Sequence, residues 1–149
     1  MKYLVFDMDG TIADLYGVEN WLDDLRNYRA TPYENARPMW DMGKLKNALE
    51  KAQINGYKVA VVSWLSKGST KEYDEKVRTA KREWLAQNNF PADEIHLVKY
   101  GTTKANVIRK KTDTAILFDD NEQVRKGWHL GTAVNPLDTD IIKYLNALC

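Results

Sequence analysis

Sulfur and imidazole are scarce in this 149-residue chain. The single cysteine, Cys149, is the last residue, so no disulfide can form within the chain. A free thiol there points to a reducing compartment and is poorly placed for catalysis. His96 and His129 are the only histidines, both at strand edges away from the acidic residues described below, and a structural or surface role is expected for each. No segment reads as a signal peptide or membrane span, and there is neither an internal repeat nor a low-complexity stretch. A dominant charge is also missing: 22 basic residues face 21 acidic ones, for a net charge of +1. That balance gives no general field for a long polyanion and suits a small anionic ligand better. With 44% hydrophobic residues, the chain is long enough for one domain, 1–149, with a proper core, and a cytoplasmic location is expected.

What is present is an alternation of apolar runs and amphipathic stretches. Tyr3-Leu4-Val5-Phe6, Lys58 to Ser63, Ile95 to Val98, Ala115 to Phe118 and Thr132 to Val134 read as strands. Between them, Asp41 to Gln53 carries Leu45, Ala48, Leu49 and Ala52 at helical spacing and stops at Asn55-Gly56. Thr70 to Asn88, Lys104 to Lys111, Glu122 to Trp128 and Asp140 to Leu148 are the other helices. With right-handed crossovers this predicts an α/β fold, a doubly wound parallel sheet.

Several of these elements end in polar residues. The first strand runs into Asp7-Met8-Asp9-Gly10-Thr11, the second ends at Ser63, the fourth at Asp119-Asp120, and Lys104 opens a helix. In an extended chain Asp7 and Asp9 point the same way, and two such carboxylates repel unless a cation or a shared proton neutralises them. Taken alone, Asp-x-Asp-Gly reads first as an Asp-Gly turn with two solvated acids. Acids, hydroxyl, lysine and acids in this order, at the strand ends where open α/β proteins keep their sites, favour chemistry.

These residues resemble the haloacid dehalogenase-like (HAD) phosphohydrolase superfamily over about residues 2–135, with Asp7-x-Asp9-Gly10-Thr11, Ser63, Lys104 and Asp119-Asp120 as its four motifs. The resemblance implies strand order 3-2-1-4-5, magnesium as cofactor, and a phosphate monoester as substrate. Asp7 would be the nucleophile forming an aspartyl-phosphate, and Asp9 the general acid and base. Ser63 and Lys104 would bind phosphate, and Asp7, Asp9, Asp119 and Asp120 would form the metal set. Expelling a halide needs no proton, so Asp9 argues for phosphoryl chemistry over dehalogenation.

Residues 12–40 interrupt the alternation at the position where the family carries a substrate-selecting cap. A helix over Asp14 to Tyr28 is expected there, with Leu15, Val18, Leu22 and Leu25 on one face. Trp21 either packs on that stripe or stacks on a nucleobase. The segment is similar to the short cap of 5'(3')-deoxyribonucleotidases. Val61-Val62-Ser63, Gly68 to Glu72 and Asp119-Asp120 with Gln123-Val124 are similar to the 3'-phosphatase domain of phage polynucleotide kinase. Trp64 and Leu65 depart from these patterns, and Trp64 is either a substrate contact or a plug beside Ser63. A nucleotide is the expected substrate, a nucleic-acid end the alternative, and a catalytically silent binding module a third reading. Lys67, Lys71, Lys76, Arg78, Lys81 and Arg82 interleave with Glu72, Asp74, Glu75 and Glu83, which predicts a solvated helix face.

Overall fold

A computed structural model describes residues 1–148, so Cys149 lies outside the described residues. The first apolar run forms β1, Lys2–Phe6, whose Leu4, Val5 and Phe6 are fully buried. It is central because both faces are apolar, as strands covered by helices on two sides require. Around it lie β4 (Tyr57–Trp64), β5 (Glu94–Val98), β6 (Thr114–Phe118) and β7 (Ala133–Val134), in the order β5-β4-β1-β6-β7. All four pairings are parallel, with Val5 opposite both Ala60 and Leu117. By position in the chain these strands are 3-2-1-4-5, as expected.

Alternation along the strands divides the core in two. Leu4, Phe6, Val59 and Val61 face α3 (Met42–Ile54), α4 (Lys71–Gln87) and α7 (Ile141–Leu148), where Phe6 stacks on Phe118 with ring centroids 4.6 Å apart. Tyr3, Val5, Ala60, Val62 and Leu117 face α5 (Lys104–Ile108) and Trp128, which follows α6 (Glu122–Lys126). Local signals set the helix ends: Asp41 accepts the Lys44 N–H and Thr70 the Tyr73 N–H as N-caps. The helices are shorter than the sequence expectation by one to three residues at several ends. Among the described residues no helix is long and apolar enough to cross a membrane.

The expected helix over Asp14 to Tyr28 does not form. The chain instead makes β2 (Ala13–Asp14), a single 3-10 turn (Leu15–Gly17), α1 (Trp21–Arg26), α2 (Thr31–Asn35) and β3 (Arg37–Pro38), with β2 and β3 paired antiparallel. Asp14 Oδ1 accepts the Gly17 N–H and closes the first turn, and Asn20 then adopts a left-handed conformation with φ 60°. The leucine spacing is therefore broken: Leu15 is buried, while Leu22 is 41% exposed.

Candidate active site

Strand phase decides which acid meets which helix. Asp7 continues the Tyr3, Val5 side of β1 and Asp119 the Ala115, Leu117 side of β6, both toward α5. Lys104, the first residue of α5, meets them there, its Nζ 2.8 Å from Asp7 Oδ1 and 2.8 Å from Asp119 Oδ2. All three side chains are buried. Beyond Asp7 the chain folds back sharply, the N–H groups of Thr11, Ile12 and Ala13 converging on Met8 O. Gly10 takes φ +79°, and a Cβ there would lie 2.4 Å from Asp120 Oδ2, so only glycine lets Asp120 approach. Thr11 Oγ1 lies 3.2 Å from Asp7 Oδ2 and accepts the Asp120 N–H at 3.2 Å.

One carboxylate oxygen from each of Asp7, Asp119 and Asp120 lies within 4.8 Å of the other two. Asp7 and Asp119 share one ammonium, Asp120 stands beside them without it, and the three acidities separate accordingly. Burial pushes Asp7 up, but the Lys104 charge, hydrogen bonds from Asp120 and Lys104, and the Lys81 charge together outweigh it and hold the carboxyl below its usual range. Burial and then the Asp7 charge push Asp119 up to about 6, and burial and the neighbouring Asp7 carry Asp120 to about 8. Lys104 is raised by the Asp7 and Asp119 charges against the opposing effect of burial. A concentrated set of hard oxygen donors, with more negative charge than its lysine balances, fits a hard divalent cation.

Asp9 does not join that group. Its Oδ2 is 2.9 Å from Lys81 Nζ, which also lies 2.8 Å from Ser63 Oγ and 2.9 Å from Trp64 O. The four-acid metal set expected from sequence thus divides: three acids converge, and the fourth is an ion-pair partner. Burial pushes the Asp9 carboxyl up, and the opposing Lys81 charge does not fully offset it. Lys81 itself corrects the reading of α4 as a solvated basic face, for it is 0% exposed. Its phase was the available signal, since position 81 is four residues after Val77 and three before Trp84, inside the buried stripe.

Ser63 is also displaced from its expected place. It shares the phase of Val59 and Val61, points to α4 rather than α5, and is 1% exposed behind the wall of the cavity. Ser66 lines the cavity instead, 2.7 Å from the Tyr33 hydroxyl. The cavity, about 550 Å³, has Asp7, Asp9, Lys104, Asp119 and Asp120 among its lining residues. Aromatic pairs also line it: Tyr16 packs edge-to-face on Trp21, and Trp64 packs on Tyr100 with the rings tilted at 57°, each with centroids 5.0 Å apart. Trp64 donates its indole N–H to Thr102 O and lies 5.2 Å from Lys104 Nζ, forming part of the wall. His96 pairs with Glu94 on β5 and does not line the cavity.

No family model and no curated protein matches the chain in sequence. Among solved structures it is similar to D,D-heptose 1,7-bisphosphate phosphatase from Burkholderia thailandensis, with 13% identity over 97% of this chain and 99% of the other and a TM-score of 0.57. It is also similar to D,D-heptose 1.7-bisphosphate phosphatase from B. bronchiseptica complexed with magnesium and phosphate, with 10% identity over 100% of both chains and a TM-score of 0.61. At these identities the likeness is one of fold: a five-stranded parallel α/β sheet with flanking helices.

Proposed function

We propose that this protein is a magnesium-dependent phosphatase of the HAD type, hydrolysing a phosphate monoester through an aspartyl-phosphate on Asp7. The observation that carries the reading is the division of labour between Asp7 and Asp9. Asp7 is held by Lys104 beside Asp119 and Asp120, and Asp9 stands two residues on with its own lysine. The two heptose bisphosphate phosphatases of similar fold support it, one of them having been solved with magnesium and phosphate.

In this reading the Asp7 carboxylate attacks phosphorus, the bond from phosphorus to the leaving oxygen breaks, and Asp9 passes its proton to that oxygen. Asp9, now a carboxylate, takes a proton from water, which attacks the acyl-phosphate and releases inorganic phosphate and the free Asp7 carboxylate. Asp7, Asp119 and Asp120 would hold magnesium, which when bound would supply positive charge to offset the negative charge of the phosphate. Lys104 lies against the nucleophile as a fixed cation.

For the substrate we infer a nucleotide. The residues of the 12–40 insert act as a small cap, and the Tyr16–Trp21 and Trp64–Tyr100 pairs offer ring surfaces on which a base can stack. A volume of about 550 Å³ accommodates a mononucleotide. A nucleic-acid 3' end is the second reading, favoured by Arg26 and Lys67, cations on the cavity wall that could meet a neighbouring phosphate. With Trp64 in the wall, the motive for a silent binding module is weakened. The reading carries a cytoplasmic setting, as the lone cysteine suggests.

Phosphate release from 5'- and 3'-nucleotides, 3'-phosphorylated oligonucleotides and sugar phosphates, with magnesium or EDTA, is the test. Release is expected to require magnesium, to vanish with Asp7→Asn, and to be fastest with a mononucleotide. A preference for sugar phosphates would overturn the substrate, and no release from any of them would overturn the activity.

A further inference from the structure

Each aspartate of the Asp7-Met8-Asp9 segment has an ammonium of its own, from a different helix on a different face of the sheet. Lys104 of α5 serves Asp7; Lys81 of α4, 72 residues further along the chain, serves Asp9. The two lysines differ in what their protons do. Lys81 Nζ has three N–H groups and three acceptors, Asp9 Oδ2, Ser63 Oγ and Trp64 O, at 2.8–2.9 Å. It is fully buried, is not part of the cavity lining, and has the Tyr33 ring 5.0 Å from its nitrogen. No proton is left over for a substrate. A lysine placed in this way acts on the reaction only through the groups it holds.

We propose that Lys81 is a positioning residue for the phosphatase reaction, fixing the Asp9 carboxyl so that one chosen oxygen serves the leaving group. This rests on the activity proposed above. With Oδ2 engaged by Lys81, Oδ1 has no hydrogen-bond partner among the described residues, while Asp9 lines the cavity. Oδ1 is therefore the atom that carries the proton and delivers it as the phosphorus–oxygen bond breaks. A carboxyl free to rotate about Cβ–Cγ would spend much of its time with that proton misdirected, and misplacement of this kind is costly. Ser63 finds its role here as well: its oxygen accepts from Lys81, so it belongs to the clamp behind the wall, joining the end of β4 to the loop after β1.

The distinguishing property is dependence on the leaving group. Nitrophenolate departs without a proton, whereas the alkoxide of a nucleotide requires one. The experiment compares kcat/KM, which covers the steps through phosphoryl transfer to Asp7, for a nucleoside monophosphate and for p-nitrophenyl phosphate. The proteins are the wild type, Lys81→Met, Asp9→Asn and the double variant, with folding checked by circular dichroism. Lys81→Met is expected to lose about 100-fold or more on the nucleotide and less than about 5-fold on the nitrophenyl ester. The double variant is expected to be no worse than Asp9→Asn alone, because Lys81 then has no carboxylate to position. If the methionine variant does not fold, Lys81→Gln, which keeps a donor at that buried position, is expected to show the same split with a smaller loss. Equal losses on both esters, no loss at all, or a double variant clearly worse than Asp9→Asn would each overturn the proposal while leaving the activity standing. An inactive wild type would overturn both.

Discussion

At the carboxyl edge of the sheet, Asp7, Lys81, Lys104 and Asp119 are 0–8% exposed, and each is fixed by at least two partners. Across the cavity, α1 buries no residue at all, and Tyr16, Leu22 and Tyr28 stand 41–52% exposed. The insert is tied down mainly through its later half. There Tyr73 donates to Arg29 O, Trp84 to Ala36 O and Trp40 to Thr11 O, and Tyr33 is buried. Groups that make and break bonds need placement to fractions of an ångström, whereas groups that select a substrate can adjust as it enters. On the proposed function the two demands are met by two regions built to different tolerances.

The largest effect should come from disturbing the rigid side. Lys104→Met leaves Asp7 and Asp119 without their shared ammonium, and kcat for phosphate release should fall by about 10²–10³-fold. Thermal unfolding is expected to show a lower Tm in the metal-free protein and a partial recovery on adding magnesium, since a divalent ion relieves the same repulsion. Gly10→Ala strikes the seam between the regions, because the added methyl meets both Asp120 and the Tyr16 ring. A left-handed non-glycine residue alone costs about 1–2 kcal/mol, so chemical denaturation should show at least that loss.

Trp21→Ala probes the adjustable side. KM for nucleotides should rise by about 10-fold, in line with a stacking contribution of about 1–3 kcal/mol. Stability should fall by only about 1 kcal/mol, for the lost contacts with Tyr16 and the edge of the core. A large loss of stability would mean that α1 is core rather than substrate surface, erasing the contrast. The smallest effect on function belongs at the opposite edge of the sheet. There burial pushes Glu94 up, but hydrogen bonds from Tyr3, His96 and Lys111 outweigh it and hold the carboxyl at about 2. Because the folded value lies below the unfolded one, the stability this supplies is complete above about pH 4.5 and is lost as pH falls toward 2. Glu94→Gln should flatten that part of the stability profile, followed by urea unfolding between pH 2 and 5, and leave turnover at neutral pH unchanged. Rigidity without a cavity would then have no catalytic consequence.

The legible parts of the sequence were those in which neighbours along the chain carry the information. Leu4-Val5-Phe6, Val59 to Val62 and Ala115 to Phe118 read as buried strands because a doubly covered sheet demands unbroken apolar runs. Asp41 and Asn55-Gly56 marked the bounds of α3 through capping chemistry. Lys104 and the paired acids were legible as strand and helix ends. Lys81 was not, since charges alternate around it and its partner is 72 residues away in the chain; only its phase on α4 gave it away. The identity of Ser63 at a strand end suggests a phosphate contact, whereas its parity along β4, shared with Val59 and Val61, turns it toward Lys81 of α4. The insert misled because leucine spacing was counted across Gly17 and Asn20, where a side-chain cap and a left-handed residue end any helix.

Both crossings between the sheet and the insert run through one short ribbon, in which Ala13 pairs with Pro38 and Asp14 with Arg37. The two ends of the intervening segment are thus already held side by side, so lengthening that segment costs little in loop-closure entropy, about 0.6 kcal/mol for each doubling. The ribbon is in effect a clasp: it fixes both ends of residues 15–36 beside the acids and lysines, so that a change in the length of that segment need not move them.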